Sequence, residues 1–251
     1  MLMGVIMPDS GKIRISGEPL QESTKNIIGY LPEERGLYKK LTVIDTLSYL
    51  ASLKGISKSA TRERADVLLR RTGMLPHSHK KVEELSKGMA QLIQFVATIL
   101  HDPKLIILDE PFYGLDPVNT KLIKDMLKEL RDQGKTIIVS THMMNEVEEL
   151  CDRLLMINKG RAVLYGDLSE IKARYRTNSL IISADGDLRQ IEGVLSIRDN
   201  GSYQELFLDG KTSPQKILAS LISRGLTVNR FEVATPPLSE IFIQVAKGQD
   251  E

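Results

Sequence analysis

The sequence has a single cysteine, almost no net charge and no long apolar run. Cys151 has no partner for an internal disulfide, so a disulfide scaffold is excluded and a reducing setting is expected. With 34 Lys plus Arg against 33 Asp plus Glu, nothing pulls the chain toward nucleic acid or anionic lipid. With 18 Gly and 10 Pro among 251 residues, a collagen-like chain is excluded as well. No apolar stretch approaches the roughly 20 residues needed to cross a bilayer. The opening MLMGVIMPDSGK lacks a basic region and a small-residue cleavage site, so no signal peptide is expected. What is present, 41% hydrophobic and 27% charged residues, is the composition of a soluble globular protein.

The pattern along the chain alternates between strands and helices. Residues 11–30 read as short strands punctuated by Gly17, Pro19 and Gly29. Helices are expected after Thr42, over 59–72 and from Ser86 to Leu100, which makes 41–101 a helical block. LIIL (105–108) and TIIV (136–139) read as strands buried on both faces, separated by a helix over 118–133 that Gly134 stops. A helix over 143–150, strands over 154–158 and 161–165 and a helix near 168–176 follow. Strands alternating with helices imply parallel β-α-β units. From 178 the order SLIIS, RQIEGVL, SIRDN, QELFL, PQKILASLISRG, VNRFEVA reads β-α-β-β-α-β, a ferredoxin-like arrangement. A boundary near 177 therefore separates an α/β domain (1–177) from an α+β domain (178–251), closed by a helix in PPLSEIFIQVAK.

Three segments carry chemistry. LIILDEPFYGLDP delivers Asp109 and Glu110 at the C-terminal end of an apolar strand, where parallel sheets place ligands. One carboxylate there can hold Mg²⁺ through water and the other can polarise an attacking water. LSKGMAQ (85–91) opens a helix with Ser86 and Gly88, giving free N–H groups, a hydroxyl donor and room for close approach of a phosphate. VSTHMMNEVEE puts His142 just past a strand end, where it can donate to a phosphate.

Together these segments resemble the nucleotide-binding subunits of ABC transporters. LSKGMAQ resembles the signature LSGGQ, LIILDE the Walker B strand, GLDP (114–117) the D-loop, His142 the switch histidine and YLPEERGLY (30–38) the Q-loop. The resemblance covers about residues 1–176 and is most similar to ATPase subunits of drug- or sodium-export type. It implies a P-loop NTPase (RecA-like) α/β core with a helical signature subdomain. It also implies a head-to-tail pair of ATPase subunits, homo- or heterodimeric, with ATP and Mg²⁺ between them. On that basis Ser86 and Gly88 face the γ-phosphate of ATP held by the partner. Asp109 holds Mg²⁺ through water, Glu110 acts as general base, and His142 and Glu33 face the γ-phosphate, Glu33 also near the metal. Asp116 of the D-loop joins the nucleotide-binding set. The Q-loop and helical block receive a separate transmembrane subunit, which implies a cytoplasmic chain attached peripherally to the membrane. No nucleic-acid partner is expected.

The sequence departs from the family in several places. Lys87 and Met89 vary the signature, Leu92 replaces a basic residue, and Glu33 stands where relatives carry Gln. The phosphate-cradling G-x-x-x-x-G-K-[ST] does not occur: five residues before the GKT tripeptides at 134–136 and 210–212 stand Glu129 and Glu205. The match starts at MLMGVIMPDSG, which normally follows that motif. The first strands, an adenine-stacking aromatic and the P-loop are therefore expected to be cut away, leaving LIIL and TIIV with apolar edges exposed. An internal start at Met1, a gene remnant and a half-active partner subunit are the accounts of this, the first favoured. Three functions stay open: the energising subunit of an exporter, a soluble ABC protein acting on ribosomes or DNA, and a catalytically silent interaction fragment. The isolated chain is expected to hydrolyse ATP negligibly; turnover by this chain that Glu110→Gln abolishes would overturn that expectation.

Overall fold

The computed structural model describes residues 1–34 and 36–247. The chain packs as two units, Met1–His142 and Met143–Glu251. The first opens with a small antiparallel pair, β1 (Arg14–Ile15) and β2 (Glu18–Pro19). A 3-10 turn over Glu22–Ile27 leads into β3 (Ile28–Leu31). The expected helical block follows as α1 (Val43–Leu53), α2 (Lys58–Arg71) and α3 (Lys87–Ile99). Each begins where a hydroxyl can satisfy a free helical N–H: Thr42 accepts from Asp45, Ser57 from Ala60 and Ser86 from Met89. β4 (Leu105–Asp109), α4 (Pro117–Asp132) and β5 (Thr136–Ser140) complete the unit.

β3, β4 and β5 form a parallel sheet in that order, with Leu105 opposite both Ile28 and Thr136 and Asp109 opposite Ser140. Leu105 and Ile107 share a core with Ile15 and Ile28, while Ile106 and Leu108 are fully buried on the other face. LIIL is thus a central strand buried on both sides, as its unbroken apolar run requires. TIIV is not. β5 alternates between exposed and half-buried residues, with Ile138 40% exposed. Among the described residues β5 pairs along one edge only, whereas β4 is paired along both. The expectation that both strands have open edges therefore holds for β5 and fails for β4, because β3 and β5 flank it.

The second unit begins with α5 (Met144–Leu150) and the antiparallel hairpin β6 (Arg153–Asn158) and β7 (Arg161–Asp167). Lys159 and Gly160 both take positive φ between them, the twist a two-residue hairpin needs. α6 (Leu168–Arg174) follows, then β8 (Ser179–Asp185), β9 (Val194–Asp199), β10 (Gln204–Leu208), α7 (Pro214–Ser223), β11 (Thr227–Val233) and α8 (Leu238–Lys247). Leu238 and Ile241 of α8 share a core with Leu154, Met156, Leu168 and Ile171. The packing unit therefore starts upstream of the boundary at 177 drawn from the pattern. The four later strands form an antiparallel sheet in the order β11-β8-β10-β9. The helix expected over RQIEGVL is absent: 187–193 runs as turns and irregular backbone, and Val194 already belongs to β9. The Asp187 carboxylate bonds the Arg189 N–H and Gly193 takes positive φ, both competing with a helix. Leu188 and Ile191 are buried, so the loop fills the core that a helix would have covered. No helix among the described residues is long and apolar enough to cross a membrane.

α3 lies close against β3. A Cβ on Gly29 would sit 2.3 Å from the Thr98 carbonyl oxygen, so only glycine fits there. Gly29→Ala should cost the first unit about 1–3 kcal/mol as overpacking, read as a lower urea midpoint. Gly36→Ala, with nothing within 4 Å of the added carbon, should stay within about 0.5 kcal/mol of the parent.

Candidate functional site

The β4–β5 register builds the site. With Asp109 opposite Ser140, the Glu110 N–H reaches the Ser140 carbonyl at 2.9 Å. Glu110 takes a φ of +46°, a region non-glycine residues seldom enter, so the chain turns sharply at this carboxylate. Three groups from the end of β5 hold it. Oε1 accepts from the His142 backbone N–H at 3.0 Å and lies 2.7 Å from His142 Nδ1. Oε2 accepts from the Thr141 hydroxyl at 3.1 Å. The Glu110 side chain is 17% exposed and that of His142 76%, so the imidazole stands between the carboxylate and solvent.

Asp109 is half-buried at the strand end. Tyr30 on β3 has its phenol pKa raised, first by burial and then by the Asp109 charge, which places that negative charge within reach of the β3 edge. Glu33 is exposed in the loop after β3. Among the described residues, no three metal-ligating side chains converge.

Ser86 caps α3 with a lone pair of its oxygen at 3.2 Å from Met89 N, leaving the hydroxyl proton available to an acceptor beyond the helix. A Cβ on Gly88 would come 3.3 Å from the Gly114 carbonyl, so the glycine lets the start of α3 and the 114–117 turn lie together. Asp116, expected at the nucleotide, is engaged at the start of α4. It accepts from the N–H groups of Val118 and Asn119 at 2.9 Å each and from the Asn119 amide. These bonds, the Asn119 N–H first, hold its carboxyl below the ordinary 3.8.

The structure therefore joins Glu110 directly to His142 and sets Asp109 beside them. No hydrogen bond or ion pair among the described residues ties Ser86 or Glu33 to that pair. Sequence reasoning missed three residues of this region. Thr141 sits inside VSTHMM, but a threonine after a strand carries no signal of its own. Gln91 donates to the Pro111 carbonyl at 3.1 Å, and Gln94 to the carbonyls of Pro32 and Glu34. A glutamine inside an apolar helix is a signal, since a buried amide needs partners.

A parallel sheet with two carboxylates at the end of its central strand and a block of helices between its first two strands is the α/β fold of ATP-binding subunits. The model of the ABC transporter family matches residues 1–113, and that of the C-terminal domain of DrrA1-3-like ATP-binding proteins matches 166–246. The chain is 42% identical over 247 residues to an uncharacterized ABC transporter ATP-binding protein, YhaQ, of Bacillus subtilis, covering 97% of this chain and 83% of that one. It is 28% identical over 259 residues to the linearmycin resistance ATP-binding protein LnrL of the same organism, covering 98% and 83%. A solved ATP-binding subunit of an ABC transporter superposes with a TM-score of 0.65 at 31% identity, covering 69% of this chain and 74% of the other. The chain belongs to the family of ABC transporter ATP-binding proteins. Members of that family bind ATP, dimerise, work with transmembrane components and energise transport.

The Asp116 cap has a defined acid limit. A lowered folded-state pKa means that its stabilisation is complete above the unfolded value of about 3.9 and is withdrawn as pH falls through the folded value. In an NMR titration the amides of Val118 and Asn119 should shift with a midpoint below 3.8. Asp116→Asn, which caps comparably, should leave the helix start in place and abolish that titration.

Proposed function

We propose that this chain is the ATP-binding subunit that energises an export-type ABC transporter, with Glu110 as the base that activates water; without a G-x-x-x-x-G-K-[ST] in its 251 residues, the isolated chain turns over ATP negligibly. The observation that carries this is the anchored carboxylate: Thr141 and His142 fix Glu110 at the end of β4, turned out by its positive φ. A general base must be aimed before the substrate arrives, and three donors aim this one. His142 stands on the solvent side, in position to meet a γ-phosphate. Asp109 at the strand end suits Mg²⁺, a hard ion that keeps several waters and takes one or two carboxylates plus phosphate oxygens. The ion brings charge neutralisation to the transferring phosphoryl group. A donor set with no third protein ligand among the described residues fits that habit better than it fits a closed metal cage.

Ser86 and Gly88 act toward ATP held by a second ATPase subunit: the free hydroxyl proton and first-turn N–H groups are phosphate donors. Glu33 faces the same phosphate region from the loop after β3. Asp116 serves the site through the start of α4, where its oxygens are spent. The surface for the transmembrane subunit lies on α1 and the loop before it. There Tyr38 and Tyr49 stack edge to face at 5.1 Å, with Leu41 and Leu53 exposed. The likeness of residues 166–246 to the DrrA1-3-like domain, and of the chain to a linearmycin resistance protein, supports export of a drug-like compound.

In the assembled transporter, Glu110→Gln should lower ATP turnover by about 10²- to 10⁴-fold while leaving ATP binding in place. Binding is read separately as a rise in melting temperature with Mg-ATP. Unchanged turnover in the glutamine variant would remove Glu110 from the role of base.

A further inference from the structure

α3 should be apolar where it is buried, yet Gln91, Gln94 and Thr98 are each only 4–5% exposed. Buried amides and hydroxyls persist only with partners, and theirs follow a rule. β3 pairs with β4 along one edge, with the Ile27 carbonyl accepting from Lys104 N–H on that side. Alternate carbonyls, those of Ile28, Tyr30, Pro32 and Glu34, face the other edge. α3 and the turn after it bond all four. His101 Nε2 lies 3.0 Å from the Ile28 carbonyl, the single Thr98 hydroxyl proton is shared between the Gln94 carbonyl at 2.9 Å and the Tyr30 carbonyl at 3.3 Å, and Gln94 Nε2 donates to Pro32 at 2.9 Å and Glu34 at 3.3 Å. The spacing is physical. Positions 94, 98 and 101 form one helical stripe, rising about 6 Å and then about 4.5 Å. Every second residue of a strand advances about 6.6 Å, so a helix running opposite to the strand meets successive carbonyls. Gly29, without a side chain, lets the helix come close enough.

The last rung differs from the others, because Pro32 and Glu34 lie beyond β3. Gln94 spends both N–H bonds on the two carbonyls that bracket Glu33. Its Oε1 is buried with no hydrogen-bond partner among the described residues, so the amide orientation is dictated by those carbonyls at the cost of an unsatisfied acceptor. One turn earlier, Gln91 makes the corresponding bond to the Pro111 carbonyl, next to Glu110.

We propose that Gln94 is a positioning residue that fixes the backbone on either side of Glu33 to the helix that begins at Ser86, so that the phosphate-facing carboxylate and the phosphate-facing helix start keep a set separation. The role assigned to Glu33 rests on the proposed ATPase function; the strut itself does not.

Two variants test it. Gln94→Leu keeps the volume and removes the donors. Gln94→Glu puts a carboxylate against two carbonyl oxygens, a repulsion relieved only when the acid is protonated and donates its O–H to one of them. In hydrogen exchange of the full chain, the amides of Glu33, Glu34, Gly36 and Leu37 should exchange about five- to tenfold faster in both variants near neutral pH, with 105–109 unchanged. In the assembled transporter, kcat should fall about ten- to hundredfold with KM for ATP within about twofold. Gln94→Glu should recover toward the parent at about pH 5, corrected for the parent's own profile, while Gln94→Leu should not. Unchanged exchange at these four amides in both variants overturns the strut whatever the turnover shows. Faster exchange with unaltered kcat overturns its bearing on catalysis. If Glu110→Gln leaves turnover intact, the ATPase assignment fails by itself, and the exchange result still decides whether Gln94 holds the loop.

Discussion

The parallel register between β4 and β5 governs the rest of the site. Asp109 and Ser140 face each other as the last paired residues, so the two chains leave the sheet side by side. Glu110 and His142 then meet without any further device. A slip of one residue would turn every side chain of β4 to the opposite face, driving Ile106 and Leu108 into the core that Leu105 and Ile107 share with Ile15 and Ile28 and separating the carboxylate from its donors. Core packing and the geometry of the candidate site are therefore set by one choice of register. The apolar residues of LIIL enforce it, because both faces of that strand must be filled.

Polar groups inside the first unit follow the same economy. The outer edge of β3 has no neighbouring strand among the described residues, yet its carbonyls are buried beneath α3. Side chains of Gln94, Thr98 and His101 stand in for a strand, each reaching one or two carbonyls. The half-buried Lys54 ammonium joins them by donating to the carbonyls of Lys25 and Ile28, and that burial lowers its pKa. Such an edge is closed to further pairing without the hydrogen-bonding rigidity of another strand. Because the helix supplies the donors, its position and that of the loop beyond β3 are linked at atomic contact.

Much of this was legible in the sequence where local chemistry decides the outcome. Thr42 and Ser86 mark helix starts because a hydroxyl is the natural acceptor for a free helical N–H, and both do that work. The DE pair, the histidine and the signature-like turn announced themselves through residue type at a strand or helix end. Three things were hidden. TIIV has the composition of a fully buried strand, but composition does not tell a central position from an edge one. RQIEGVL has helical spacing, but Asp187 and Gly193 offered the backbone a cheaper set of turns, and Leu188 and Ile191 could fill the core from a loop. The glutamines of α3 sit on a face that the apolar pattern already marks as buried. Their partners are loop carbonyls, 20 residues away for Gln91 and some 60 for Gln94, a relation no local pattern contains.

The contact between His142 and Glu110 restricts how the site can work. Two acceptor atoms do not settle 2.7 Å apart without a proton between them, so Nδ1 carries hydrogen and donates to Oε1. In the neutral ring Nε2 is then a bare acceptor, which a phosphate oxygen repels. His142 can donate to a γ-phosphate while keeping its bond to Glu110 only as an imidazolium with both nitrogens protonated. Glu110, for its part, has roughly four lone-pair sites on two oxygens and spends three of them on Thr141, the His142 N–H and the His142 ring. One site remains, which suits a single water. On the proposed function, the arrangement has places for phosphate and water together: a second ring donor for the anion when both nitrogens carry protons, and one open carboxylate position for the nucleophile.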